Sequence, residues 1–200
     1  MAYTIIISIS ALLIALGNFL SGDAYTSEAF GTLLMTTILG VFCVIAIDGI
    51  FAFFIRRLPE KWFAPTKAAF SVSEKEVRFY KRIGIAKWKK HVPELGCFTG
   101  FHKDKLRDSK SSTYLGRFLL ESNYGVVGHV AGALAGFLLL FVRFLRPRSV
   151  TLPIAIVNFI LNLMPTAVLR SNTPALRRLY ARSRAREERK TENQNKTALT

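Results

Sequence analysis

Two side chains near the start of an apolar run carry the residue types that could do chemistry. In "RFLLESNYGVVGHVAGALAGFLLLF", residues 117–141, Glu121 and His129 stand eight positions apart where a membrane helix should be starting. A carboxylate and an imidazole are the usual pair for general acid–base work, and ionisable groups inside a span are functional by default. Eight helical residues correspond to about 12 Å of rise and about 80° of rotation, so the two share a broad face and form a dyad only if the helix is broken. Gly125 lies between them on the same row, where a missing side chain leaves room for a substrate. If the hydrocarbon begins near Gly125, His129 sits about 6 Å deeper, at interfacial depth. Histidine is also the least costly ionisable residue to keep in a span. A hydrogen bond to a neighbouring helix would explain His129 equally well, with Glu121 an ordinary interfacial carboxylate.

The elements that must position these groups follow from the distribution of charge. The 200 residues are half hydrophobic yet carry 28 Lys plus Arg against 13 Asp plus Glu, and the two properties are segregated. Residues 4–22 hold no charge, and residues 29–55 hold one, Asp48. "VVGHVAGALAGFLLLFVRFL" (126–145) and "VTLPIAIVNFILNLMPTAVL" (150–169) are two further runs near the ~20 residues that cross a bilayer. The expected fold is therefore an all-α integral membrane protein with about four transmembrane helices, which satisfy their backbone groups internally. Residues 1–55 form an N-terminal helix pair, 56–125 a basic cytoplasmic or interfacial segment, 126–170 a second transmembrane hairpin, and 171–200 a basic cytoplasmic tail. The first run lacks the basic flank of a secretory signal, so it is expected to be a retained span.

Residues 56–125 contain 16 basic and 7 acidic side chains, and the stretch from Arg170 contains 9 and 3. The positive-inside tendency puts both in the cytoplasm, together with both termini, in a multi-pass plasma-membrane arrangement. Asp23 and Glu28, between spans one and two, suit the outer face. Arg143, Arg146 and Arg148 disagree with that scheme and leave open a shallow hairpin for spans three and four. A net charge of +15 raises nucleic acid as a partner, but the basic residues flank apolar spans without an RNA-binding or zinc signature. Anionic membrane lipids and phosphorylated small molecules fit better. Cys43 and Cys97 read as plain thiols, and His91, His102 and His129 lack metal-ligand spacing, so no metal and no resident cofactor are expected.

Inside the basic segment, Ser73 and Glu76 are spaced as a capping box ahead of Val77, Tyr80 and Ile83 on one face. Gly84 interrupts that helix, "IAKWKKHV" resumes it with Trp88 among lysines, and Pro93 stops it. Both pieces suit a membrane surface. Thr173 and Pro174 read as an N-cap and first residue of a tail helix, with residues 191–200 polar and disordered. Asn158 and Asn162, four apart in the last span, are expected to act as interhelical hydrogen-bonding groups more than as an acceptor site, with Asp48 a buried partner for such groups. Gly128, Gly132 and Gly136 form a small-residue ridge that permits close packing.

"LPEKWF" (58–63), Glu74, "FYKRIGIAKWKKHVP" (79–93), Glu121 eight residues before His129, and "NLMPTAVLRSNTPAL" (162–176) together resemble the glycosyl-4,4'-diaponeurosporenoate acyltransferase family. The likeness runs from about residue 58 to 180. It departs from the family's Gln-Arg-Tyr-Asn-Arg-Pro-Arg run, where this chain has Leu169, Arg170, Ser171, Asn172, Thr173, Pro174 and Ala175. The resemblance implies a membrane-bound O-acyltransferase of staphyloxanthin-type carotenoid biosynthesis. Acyl-CoA would be the co-substrate, a glycosylated carotenoid or glycolipid the acceptor, and other carotenoid enzymes possible neighbours. It implies His129 and Glu121 as catalytic residues, with Trp88, Lys87, Lys89, Asn162, Arg170 and Asn172 meeting substrate; Lys87, Lys89 or Arg170 would face the oxyanion. The competing expectation is a non-catalytic membrane adaptor or small carrier subunit that binds anionic lipid.

Overall fold

The computed structural model describes residues 2–22, 26–92, 108–145 and 147–198. Asp23, Pro93, Cys97, His102 and Arg146, and with them the expectations placed on those positions, lie outside the described residues. Within the described residues the chain is all-helical: α1 (Ala2–Leu20), α2 (Ser27–Arg56), α3 (Glu74–Arg82), the single turn α4 (Ile85–Trp88), α5 (Ser112–Ala135) and α6 (Arg148–Ala198), joined in places by 3-10 turns. Among the described residues, three segments are long and apolar enough to cross a bilayer: Ala29–Arg56, Ser112–Phe141 and Arg148–Lys196. The apolar part of α1, Thr4–Leu20, is shorter than that, so the structure supports three spans of full length where the sequence suggested about four.

The chain divides into two compact units. The first holds α1, α2, the short stretch from Trp88, the end of α5 from Val127 and α6 as far as Thr166. Thr26 caps α2 by accepting from the Ala29 N–H at 3.1 Å. The core of this unit joins Val44 of α2 to Leu139 and Leu145 beyond α5 and to Val150 and Ile154 of α6, with Ile14 and Cys43 packed against it. Its outward face carries Ile9, Leu13, Met35, Phe42 and Phe54, all more than half exposed. So many large apolar side chains facing outward are what lipid, unlike water, accommodates without cost.

The second unit holds residues 59–87, the start of α5 to Val126, and α6 from Ala167. Phe63, from the "LPEKWF" stretch, is 3 % exposed and stacks on Tyr124 with ring centroids 3.9 Å apart. The Asn123 amide donates to the Phe63 carbonyl at 2.8 Å, so one loop is fixed to α5 by both an apolar and a polar contact. Phe118, Leu119 and Leu176 form a second cluster with Tyr114 and Tyr180. The Ser73 hydroxyl caps α3 by accepting from the Glu76 N–H at 3.2 Å, and the Glu76 carboxylate in turn accepts from the Ser73 backbone N–H. At the other end of α3, Gly84 adopts a φ of 65°, the left-handed conformation that glycine takes without strain.

Three expectations are corrected here. Thr173 and Pro174 start no new helix: α6 runs through them without a break. The Thr173 hydroxyl donates back to the Leu169 carbonyl at 3.0 Å, and packing of Leu169 and Leu176 on either side holds the helix across the N–H that proline lacks. Residues 191–198 are helical, supported by an i,i+4 ion pair between Glu192 and Lys196 at 2.8 Å and by the Thr191 hydroxyl on the Glu187 carbonyl. The space beside Gly125 is taken: a Cβ there would lie 2.9 Å from Leu169 Cδ1, so a neighbouring side chain fills it.

Because Phe63 anchors its loop through the stack on Tyr124, Phe63→Ala should destabilise the second unit by about 3 to 5 kcal/mol. Denaturant unfolding in detergent measures this, and Trp62→Ala, which removes a side chain 54 % exposed, should cost far less.

Candidate functional site

Four polar residues meet inside the first unit. Asp48 comes from the last third of α2, His129 from α5, and Asn158 and Asn162 from successive turns of α6. Asn162 Nδ2 donates to Asp48 Oδ2 at 2.8 Å and lies 3.1 Å from Asn158 Oδ1. Asn158 Nδ2 reaches Asp48 Oδ1 and the Gly132 carbonyl, both at 3.3 Å. Asn162 Oδ1 faces His129 Nδ1 at 3.0 Å.

The helices come close enough for these contacts because two positions on α5 and just beyond it have no side chain. A Cβ at Gly132 would lie 2.9 Å from Asp48 Oδ1, and one at Gly136 would lie 2.5 Å from Asn158 Nδ2. The glycine ridge thus admits polar side chains, with Gly128 outside that role because open space surrounds it. Among the described residues no buried side-chain polar atom lacks a partner, as the cost of an unmet polar group in lipid requires.

A second polar arrangement holds the second unit. Arg170 grips Glu76 through two bonds, Nε to Oε1 at 2.5 Å and Nη2 to Oε2 at 2.8 Å, and its Nη2 also reaches the Ser71 carbonyl at 3.1 Å. The Tyr80 hydroxyl donates to the same Glu76 Oε1 at 2.5 Å. The Arg170 hydrogen bond holds the Glu76 carboxyl below its ordinary value of 4.5. Burial, followed by the Glu76 carboxylate, pushes the Tyr80 hydroxyl up to about 12. Glu121 is paired as well: its side chain is 11 % exposed and takes a bond from Arg117 at 3.0 Å, while the same arginine reaches Glu60 at 2.7 Å.

The sequence-derived candidates are therefore distributed. His129 and Asn162 are brought into direct contact. α5 is unbroken from Ser112 to Ala135, so the break that would let Glu121 reach His129 is not there. Arg170 is committed to Glu76, with its donors directed at a carboxylate and a backbone carbonyl. Lys87 and Lys89 are exposed on and just after α4, with Trp88 half-buried between them, and Asn172 is half-buried on α6. Two partners were not singled out as site residues in the sequence. Asp48 carries a signal, being the one charge in residues 29–55, whereas Glu76 is hidden within a capping motif and its partner stands 94 residues away. Among the described residues no group of His, Cys, Asp and Glu is placed to hold a metal ion.

A family model described as glycosyl-4,4'-diaponeurosporenoate acyltransferase (CrtO) matches residues 59–182. The chain belongs to that family. The matched segment exceeds half the chain and contains His129, Asn158, Asn162, Glu76 and Arg170; Asp48 lies before it. Neither the curated proteins nor the solved structures gave a match. Family membership and the apolar helices together make this a membrane-associated acyltransferase of carotenoid biosynthesis.

The Glu76 pair generates a pH prediction. A carboxyl held below its ordinary value stabilises the folded state fully above about pH 4.5 and loses that contribution as pH falls further. Tyr80, raised from 10.0, contributes fully below about pH 10 and loses its share as pH rises toward 12. Thermal unfolding across pH should show both edges, and Glu76→Gln should remove the acid one. Arg170→Lys, which gives up the two-pronged grip, should cost about 1.5 to 3 kcal/mol at neutral pH.

Proposed function

We propose that the protein moves a fatty acyl group from acyl-CoA to a sugar hydroxyl of a glycosylated carotenoid, or a closely related glycolipid, with His129 as general base. The observation that carries this is the bond between His129 Nδ1 and Asn162 Oδ1, because it presents an oriented imidazole inside an apolar span. Both reactants suit such a place, since each has a polar end that belongs in water and an apolar end that belongs in lipid. The imidazole takes the acceptor hydroxyl proton as the oxygen attacks the thioester carbonyl. The C–S bond then breaks, and the proton passes to the departing thiolate. No cofactor is needed beyond the acyl-CoA itself.

Charge distribution supports a cytoplasmic donor. The basic segment and the arginine-rich end of α6 belong on the inner side with both termini, in a multi-pass plasma-membrane protein. The exposed Lys87 and Lys89 suit the CoA phosphates, and the half-buried Trp88 between them suits the head-group region. Arg178 and Arg182 on α6 meet anionic lipid, and neighbouring carotenoid enzymes deliver the acceptor. Arg170, held by Glu76, is better read as bracing α6 than as an oxyanion donor. Glu121, paired with Arg117, takes no part in the proton transfer in this scheme.

Two measurements test the reading. His129→Ala and His129→Asn should both lower acyl transfer by about 10² to 10⁴ with helix content retained, since Asn keeps a hydrogen bond but cannot take the proton. Near-normal turnover by the folded His129→Asn protein would remove the catalytic role and favour a lipid-binding adaptor. A cysteine at Ser109, in a protein whose own two cysteines are replaced, should be labelled only once the inner face is opened. Labelling from outside intact cells would contradict a cytoplasmic donor.

A further inference from the structure

We propose that Asp48 and Asn162 are positioning residues that set the tautomer of His129, placing the proton on Nδ1 and the basic lone pair on Nε2. This inference rests on the reading of His129 as the base, and it changes the role of Asn162 from substrate contact to support. The argument follows from what each atom can donate or accept. Both carboxylate oxygens of Asp48 face amide nitrogens, Oδ1 the Asn158 Nδ2 and Oδ2 the Asn162 Nδ2, and an amide nitrogen can only donate. Asn162 Nδ2 meets Asp48 Oδ2 at 2.8 Å and also has Asn158 Oδ1 at 3.1 Å and the Asn158 carbonyl at 3.2 Å. Acceptors alone surround that nitrogen. Turning the Asn162 amide over would set its oxygen against the carboxylate and two more oxygens.

The orientation of Asn162 is therefore fixed from α2, and its carbonyl oxygen is the atom left to face His129. That oxygen accepts and cannot donate, so His129 Nδ1 must carry the hydrogen at 3.0 Å. In a neutral imidazole with one N–H, the lone pair then resides on Nε2. The bond survives the reaction step, because an imidazolium formed by proton uptake at Nε2 still donates from Nδ1, more strongly as charge develops. Asn158 completes the arrangement by donating to the other carboxylate oxygen and to the Gly132 carbonyl. The bare backbone at Gly132 and Gly136 is what lets the carboxylate and the Asn158 amide approach α5.

The test reads the tautomer directly. Protein with ¹⁵N-labelled imidazoles, reconstituted in nanodiscs, is studied by NMR, with the His129 signals assigned by their loss in His129→Asn. The wild-type ring should carry its hydrogen on Nδ1; a hydrogen on Nε2 overturns the proposal without touching the catalytic reading. Asp48→Leu removes both carboxylate oxygens that fix Asn162, so it should mix the tautomers and lower kcat by roughly tenfold or more, with the acceptor KM within about twofold. Unchanged tautomer and kcat in that variant, or a raised KM at constant kcat, overturns the positioning role. Normal turnover by folded His129→Asn, with the Nδ1 hydrogen confirmed in wild type, counts against the base alone.

Discussion

A carboxylate set inside an apolar span costs several kcal/mol unless donors surround it, and Asp48 stands in such a span, on α2. The first unit can be read as the solution to that constraint. Two asparagines one turn apart on α6 turn their amide nitrogens toward it, and glycines at 132 and 136 remove the side chains that would keep them away. Once both asparagines are so oriented, the remaining Asn162 oxygen has one direction to face, and His129 stands there. The catalytic proposal thus depends on a residue that never needs to meet substrate.

The same logic explains why α6 tolerates three prolines, at 153, 165 and 174. In lipid or in a packed interior a freed carbonyl can be met by a nearby polar side chain, as the Asn18 amide does for the Ser149 carbonyl that Pro153 leaves without its helical donor, and neighbouring side chains keep the helix on course. The second unit relies on charge where the first relies on amides. Glu76, Tyr80 and Arg170 fasten α3 to α6 through charge-assisted bonds that need no acyl chemistry to justify them. The structure therefore gives the part of the basic segment around α3 a defined attachment to α6.

Much of this was legible in the sequence, for physical reasons that can be stated residue by residue. Apolar runs of membrane length, the Ser73 cap, the stop at Gly84 and the small-residue ridge are local patterns, and local patterns survive into the fold. Asp48 as a partner for Asn158 and Asn162 was also readable, because a lone charge in a span must find donors and few were on offer. The contact between His129 Nδ1 and Asn162 Oδ1 was not readable, since it depends on which way an amide turns after three helices have packed. The Glu76 and Arg170 pair joins positions 94 apart, which no spacing rule connects. Thr173 and Pro174 misled because a cap signature is written for an exposed helix start, and here both positions lie within a helix whose flanking leucines are buried.

The most direct test of the central claim, that His129 is the base that meets the acceptor, is chemical modification read by peptide mass spectrometry. The unprotonated imidazole nitrogen attacks a carbonyl of diethyl pyrocarbonate, so the reagent should carbethoxylate His129 in step with loss of acyl transfer. A glycosylated polyene acceptor should protect both, and hydroxylamine should restore both. Full activity in protein whose His129 is completely modified, or inactivation that proceeds while His129 remains untouched, would contradict the account.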